Sequence, residues 1–282
     1  MYYNWRVNME LNLKGKVVVI TGGAAGIGRA TSIEFLKEGA IVAVCGRRNE
    51  KIEKFYTEMS NLGYQVYGEA LNIRDCKAVQ RFAENIIHKF GKIDIWVNNA
   101  GVALDKPFWE FTKEEWDNIV ETNLEAVWNC TRICARYMME KESGVIINIS
   151  SYASKIPIAG GPIYAATKAG VSSLTKSFAS ELAPYNIRVI GIVPGMINTE
   201  ISKKNIAENK DKLISNISMK RLGEAEDLAK PIVFLSSDAA GYMSGFDVEI
   251  TGGKYATQNT DWPWRIKNER EKEKNISNGN QL

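Results

Sequence analysis

Lys16-Val17-Val18-Val19-Ile20-Thr21-Gly22-Gly23-Ala24-Ala25-Gly26-Ile27-Gly28 is the stretch that decides the architecture of this chain. Its β-branched run, residues 17–20, reads as a strand, and a strand apolar at every position belongs in a sheet covered on both faces. Glycines then fall at 22, 26 and 28, and a helical pattern over 29–38 follows, closed by Gly39. A glycine-rich turn between strand and helix aims backbone N–H groups and the positive end of the helix at a phosphate. The same glycines would also allow plain tight packing of helix on strand, so the motif alone is weak evidence. Its position, after the first strand and at the opening of a helix, favours a nucleotide.

The alternation continues outward. Strands are expected over 41–45, 65–70, 93–98, 145–150, 187–193 and 247–250. Helices are expected over 49–61, 76–90, 113–139, 164–182 and 225–235. Strand and helix in turn predict an α/β fold, a Rossmann-like doubly wound sheet of seven mostly parallel strands with helices on both faces. No composition break interrupts this span, so we read one domain over 14–257, preceded by an extension over 1–13. A polar Lys/Asn-rich segment, 198–220, follows a Pro-Gly and is expected to act as a substrate lid. The tail, 258–282, is expected to be partly disordered because it is charged and Asn-rich beyond 265. Trp262-Pro263-Trp264 within it is expected to pack on the body or on a neighbouring subunit.

Composition narrows the function. The 282 residues are 45% apolar and 24% charged, the balance of a globular domain. A net charge of +3, spread along the chain, gives no footprint for nucleic acid. No apolar run reaches the roughly eighteen residues of a membrane span. The first twelve residues lack the apolar core of a signal peptide, which points to the cytoplasm. Cys45, Cys76, Cys130 and Cys134 form no Cys-x-x-Cys pair and read as buried free thiols. The single histidine, His88, sits among Ile86, Ile87 and Phe90 as a surface or boundary residue. Neither a metal site nor a Ser-His-Asp enzyme is supported.

Tyr164-Ala165-Ala166-Thr167-Lys168, with Ser150-Ser151 upstream, carries the chemistry. A phenol and an ammonium four apart on a helix point the same way. A free tyrosine titrates near about pH 10, and a cation beside it is expected to bring that down toward the working range. A strand-end hydroxyl would then hold the substrate oxygen. Tyr137-Met138-Met139-Glu140-Lys141 has the same spacing but lies at the polar end of a helix with no serine pair before it. It reads as a solvated helix end, so context separates the two.

Thr21-Gly-x-x-x-Gly-Ile-Gly28, Asn98-Asn99-Ala100-Gly101, Asn123, Ser151, Tyr164-x-x-x-Lys168 and Pro194-Gly195 occur in the order seen in the short-chain dehydrogenase/reductase family. The chain resembles that family over about residues 14–254. The resemblance implies an NAD(P)-dependent oxidoreductase, commonly a homotetramer. It makes Tyr164 the acid/base, Lys168 its helper and ribose ligand, and Ser151 the group orienting the substrate oxygen. Asn123 would hold a water, or else cap a kink in its helix. Gly22, Ala25, Gly26, Ile27 and Gly28 would line the pyrophosphate. Asn72 and Ile73 would meet the adenine, and Asn99, Ala100 and Gly101 the ribose. Pro194, Gly195, Ile197 and Thr199 would face the carboxamide.

The adenosine ribose is read just after the second strand, where an acid would accept from both hydroxyls of NAD. Here stand Cys45-Gly46-Arg47-Arg48, and a guanidinium pairs with a 2′-phosphate in a planar fork. NADP(H) is favoured, Arg47 more than Arg48, with NAD(H) the alternative. The substrate is a small-molecule alcohol or ketone. Tyr152, Ile156, Ile158, Ile163, Ile201 and Ile206 suggest an apolar or cyclic body such as a hydroxysteroid. A 3-oxoacyl thioester reductase and a polyol or sugar dehydrogenase stay open. A catalytically silent nucleotide sensor is the reading from another class.

Overall fold

β1 (Val17–Thr21) is buried at all five positions and forms the centre of the sheet. The computed structural model describes residues 10–254 and 256–279. The first nine residues of the expected extension, position 255 and positions 280–282 lie outside the described residues. Around β1 stand β2 (Ile41–Gly46), β3 (Val66–Ala70), β4 (Ile95–Asn98), β5 (Gly144–Ile149), β6 (Ile187–Pro194) and β7 (Asp247–Ile250). They form one seven-stranded sheet in the order β3-β2-β1-β4-β5-β6-β7. Every pairing is parallel. The expected seven-stranded α/β fold is what the chain adopts.

Alternate residues of each strand serve opposite faces, because successive side chains of a strand point opposite ways. On one face Val18, Ile20, Val42 and Val44 pack with Phe35 and Leu36 of α1 (Gly26–Lys37) and Phe55 of α2 (Asn49–Asn61). Leu228 and Ile232 of α8 (Ala225–Leu235) complete that layer. On the other face Val17, Val19, Trp96 and Ile146 pack with Phe82 of α3 (Cys76–Phe90) and Ile133 of α5 (Ala126–Glu140). Phe178 of α6 (Pro162–Leu182) belongs to the same layer. Each fully buried Phe or Ile contributes about 1.5–3 kcal/mol of hydrophobic stabilisation, so the two layers hold the sheet. Leu13, at 2% exposure, already belongs to the first of them, which moves the start of the core one residue before the expected boundary.

Three segments differ from expectation. The helix expected over 113–139 is α4 (Lys113–Val120), a π-helical turn (Glu121–Glu125) and α5. The segment 198–220 carries α7 (Lys203–Ser215), a helix with no buried residue and a kink at Asn209. The tail, expected to be partly disordered, is helical over α9 (Trp262–Gly279). Lys267 and Glu271 pair across one turn at 3.7 Å, and such i,i+4 pairs support a polar helix. Its first turn is tied to the body, as the Trp264 indole donates to the Ser218 carbonyl at 2.8 Å and Asp261 pairs with Lys220. Among the described residues no helix is long and apolar enough to cross a membrane.

Strand order explains where a site must lie. The chain runs outward from β1 to β3, then resumes on the other side of β1 with β4. Loops leaving β1 and β4 therefore part in opposite directions and open a crevice beyond the carboxyl ends of the strands. Residues 22–28, 47–48, 72–73, 99–101, 151 and 195–199 all follow strand ends on that edge.

Candidate active site

β5 ends in Ile149, and the next two residues carry hydroxyls with different fates. Ser150 is 2% exposed, and its Oγ lies 2.9 Å from both the Lys168 carbonyl and the Ser172 hydroxyl. Ser151 is half-buried, caps a short turn by accepting from the Ala153 N–H at 3.1 Å, and also hydrogen-bonds the Tyr164 phenol. The extended chain points the two side chains to opposite sides. Ser150 locks β5 to α6, and Ser151 faces the crevice.

Tyr164 and Lys168 lie one turn apart on α6, with the ammonium 5.8 Å from the ring centroid. Lys168 is 4% exposed and donates to the Ile149 carbonyl at 2.9 Å. A Cβ at Gly101 would sit 3.5 Å from the Lys168 nitrogen and 3.2 Å from Asn123 Oδ1, so these three positions converge. Asn123 lies fully buried in the π-helical turn. Its Oδ1 accepts from the Val102 N–H and its Nδ2 donates to the Val102 carbonyl, both at 2.8 Å. A longer contact of 3.4 Å reaches Thr167 Oγ1. The side chain thus clamps the loop after β4 against α6. A π-helical turn is a frequent device at functional sites, where one extra residue re-aims a side chain.

The glycine loop is laced to the same loop. Asn99 Nδ2 donates to the Thr21 carbonyl at 2.9 Å, while Thr21 Oγ1 accepts from the N–H groups of Asn99 and Ala100 at 3.0 and 3.1 Å. Gly22 and Gly26 have φ of +68° and +51°, which side chains resist. A Cβ on Gly28 would lie 2.3 Å from the Gly22 carbonyl oxygen and 2.5 Å from Asn99 Nδ2. The N-cap of α1 is Ala25, with no side-chain cap and no acid in the first turn. Its leading N–H groups, Ile27 and Gly28 among them, are left for an anion.

A model of the short-chain dehydrogenase family matches residues 16–210. A 3-oxoacyl-[acyl-carrier-protein] reductase of Thermotoga maritima is 37% identical over 243 residues, 86% of this chain and 99% of that protein. The corresponding reductase of Staphylococcus aureus is 35% identical over 241 residues, 85% of this chain and 98% of its own. Among solved structures, a proposed NAD(P)-dependent gluconate 5-dehydrogenase from Beutenbergia cavernae, with NADP bound at low occupancy, superposes with a TM-score of 0.84. It is 30% identical and covers 88% of this chain and all of its own. The chain belongs to the short-chain dehydrogenase/reductase family. It is an oxidoreductase acting on CH–OH groups.

The residues present fit the dinucleotide that the family binds, because the space a Cβ would fill at Gly28 is backbone and the start of α1 is uncapped. Arg47, at the end of β2, is exposed and makes no hydrogen bond or ion pair with any described residue. Arg48 differs: its guanidinium is engaged by Glu200 at 3.2 Å. Asn72 accepts from the Arg74 N–H at 3.2 Å in the turn after β3. Ile73 is 7% exposed and its side chain belongs to the core rather than to an adenine site. Ile197 likewise turns into the core at 6% exposure and bridges to Gly223, which leaves only its backbone to meet a carboxamide. Thr199 lies over the glycine loop, 3.6 Å from where a Gly26 Cβ would be. Pro194 closes β6, and a Cβ on Gly195 would strike the Thr251 backbone at 2.8 Å.

Of the expected substrate wall, Ile156, Ile158 and Ile201 are exposed, at 45%, 45% and 65%. Ile163 is a correction: at 6% exposure it anchors α6 in the interior. The control motif behaves as an outer helix end, with Tyr137 near Gln80 Nε2 at 3.1 Å and Lys141 donating to the Gly91 carbonyl at 2.8 Å. Cys45, Cys130 and Cys134 are buried free thiols, and burial pushes each thiol up. His88 is exposed.

Burial moves the phenol and the ammonium in opposite directions. Burial raises the Tyr164 phenol above its ordinary value, the Ser151 hydrogen bond pulls it part-way back, and the Asp105 carboxylate pushes it up again. Burial also lowers the Lys168 ammonium to about 8, so at neutral pH it still carries most of its charge beside the phenol. Below pH 8 both folded and unfolded chains carry the Lys168 charge, and the fold bears the full cost of burying it. Between about 8 and the ordinary 10.5 the unfolded chain binds the extra proton, so stability rises with pH. A shift from 10.5 to about 8 corresponds to about 3 kcal/mol in order of magnitude. Unfolding free energies of the natural chain and Lys168→Met should therefore move by up to that amount in favour of the natural chain between pH 7 and 10.5. A difference that does not change with pH would show that Lys168 carries no burial cost.

Three residues near the crevice escaped the sequence reading. Asp105 has an oxygen 3.2 Å from where a Gly161 Cβ would be, at the start of α6. Glu200 reaches across to α2. Thr21 was legible as part of the glycine motif, but its hydroxyl contacts were not. The first two stand in irregular loops where no period or spacing marks them.

Proposed function

We propose that this chain interconverts a ketone and a secondary alcohol with NADP(H), and that a 3-oxoacyl thioester is the first substrate class to test. The observation that carries the chemistry is the convergence of Ser151, Tyr164 and Lys168 at the carboxyl edge of β5, beside Gly101 and Asn123. The bound nicotinamide would supply or accept the hydride. Tyr164 gives its phenolic proton to the substrate oxygen in reduction and takes it back in oxidation. Ser151, hydrogen-bonded to that phenol, holds the same oxygen and fixes its distance from the ring. Lys168 contributes positive charge beneath the phenol and a ligand for the ribose. Asn123 keeps the loop after β4 in place, which shapes the wall beside Lys168. Positioning and electrostatics of this kind account for most of what a protein adds to hydride chemistry.

The thioester class is supported by the two reductases, which align over most of this chain at 35–37% identity. The exposed apolar side chains Ile156, Ile158 and Ile201 would suit an extended acyl chain. They would also suit a bulky ring, which keeps a cyclic alcohol such as a hydroxysteroid as the second reading. A sugar acid is less suited, since its carboxylate would meet Asp105 near the phenol. Turnover measured by loss of reduced-nicotinamide absorbance with 3-oxoacyl thioesters, cyclic ketones and keto sugar acids tests the assignment. Activity confined to sugar acids would overturn it.

The preference for NADP(H) rests on Arg47, whose guanidinium pairs with no described residue. Arg47→Ala should weaken NADPH by roughly ten- to a hundredfold, the worth of a charge-assisted hydrogen bond of about 1.5–3 kcal/mol, and NADH by less than twofold. Equal losses for the two would remove the phosphate role. Assembly as a homotetramer in the cytoplasm completes the proposal, with Trp116 and Trp128, exposed at 48% and 47% on α4 and α5, as surface for a second copy.

A further inference from the structure

Glu200 lies six residues beyond the end of β6, yet its carboxylate reaches the start of α2. It accepts from both terminal nitrogens of Arg48 at 3.2 Å, and from Lys51 Nζ at 2.7 Å. The two cations hold its carboxyl below the usual carboxylate range. To get there the chain passes over the glycine loop, where Thr199 stands 3.6 Å from a Gly26 Cβ. Arg48 is the N-cap of α2 and follows Arg47 directly. Glu200 therefore sits at the corner where the adenosine ribose is read, held by donors that an incoming phosphate would use.

We propose that Glu200 is a specificity-determining residue of the cofactor cleft, competing with a 2′-phosphate for Arg48 and Lys51. The inference rests on the reading of that corner as a 2′-phosphate site. An Arg fork satisfies one carboxylate or one face of a phosphate at a time. A dianionic 2′-phosphate must displace Glu200 or share its cations, and it is repelled by the carboxylate in either case. The ribose hydroxyl of NAD is neutral and bears neither cost. Glu200 thus narrows the preference that Arg47 creates, and lets one cleft hold both cofactors.

The strap does not depend on this contact for its own shape. Asn198 N–H donates to the Gly223 carbonyl at 2.8 Å, and Ser202 Oγ accepts from the Thr199 N–H at 3.1 Å. Glu200→Gln should therefore fold. Dissociation constants for NADPH and NADH, measured by titration calorimetry on the full chain, test the proposal. Glu200→Gln should tighten NADPH by roughly fivefold, the size of one unit charge a few ångströms away near a surface. It should leave NADH within twofold, and the gain should shrink at high salt. An unchanged NADPH constant would overturn the proposal. So would a parallel change for both cofactors, because that is the signature of a loop that has merely moved. Arg47→Ala on the natural chain tests the underlying reading separately. If that variant moves both cofactors alike, the reading fails. The Glu200 competition is decided separately by the NADPH-to-NADH ratio in Glu200→Gln, since Arg48 and Lys51 would hold the anion without Arg47.

Discussion

Replacing Tyr164 with phenylalanine should cut turnover by roughly 10²–10⁴-fold, the range expected when a positioned acid/base is removed, while leaving cofactor affinity within about twofold. The ring fills the same space, so the aromatic surface over Lys168 is kept and only the hydroxyl goes. What disappears is the proton donor and the partner of the Ser151 hydroxyl. Because burial and Asp105 raise the phenol, it stays protonated through neutral pH and serves ketone reduction there. Alcohol oxidation needs the ionised phenol, so its rate should climb with pH toward and beyond the ordinary value near 10. Steady-state rates in both directions across pH 6–10, for the natural chain and Tyr164→Phe, check both statements. Retained turnover in the variant, or an oxidation rate that falls as pH rises, would remove Tyr164 from the proton step.

Gly28→Ala should abolish measurable cofactor binding. The new methyl carbon would stand 2.3 Å from the Gly22 carbonyl oxygen and 2.5 Å from Asn99 Nδ2, and the first of these is backbone that cannot rotate away. Either the turn opens or α1 shifts off the sheet. Both displace the N–H groups meant for the pyrophosphate, and overpacking of this kind costs about 1–3 kcal/mol of stability. Gly26→Ala is the control. Its methyl would meet only the Thr199 side chain, at 3.6 Å, so it bears the strain of a positive φ and no backbone collision. Titration of NADPH into both variants, with thermal unfolding alongside, should rank Gly28→Ala as far the more damaging. The reverse order would mean that the loop's close approach to Asn99 is not what shapes the cleft.

How much of the site was legible depends on the range over which each signal acts. Tyr164 and Lys168 are four apart on one helix, so their shared face follows from helical geometry alone. Ser151 was singled out over Ser150 by the family resemblance, through its thirteen-residue interval to Tyr164. Asn123 was legible as a residue but not as a clamp, because its partner Val102 is 21 residues away and the π-helical turn has no periodic mark. Glu200 and Arg48 are 152 residues apart and come together only through the sheet order. Ile163 looked like a wall residue and Ile197 like a carboxamide contact because an apolar side chain near a site carries no sign of which way it will turn.

Period and composition by themselves determined the alternating strands and helices, the strand-turn-helix at Gly22 to Gly28 and the phenol-ammonium pair on α6. Each is a property of neighbouring residues, and the backbone's repeat lengths translate it directly into local structure. Only the tertiary structure decided what Ser150 locks in place, which arginine Glu200 engages, and in which direction burial moves Tyr164 and Lys168. Those answers depend on what is packed around a group, and water is excluded from it by residues that lie far away along the chain.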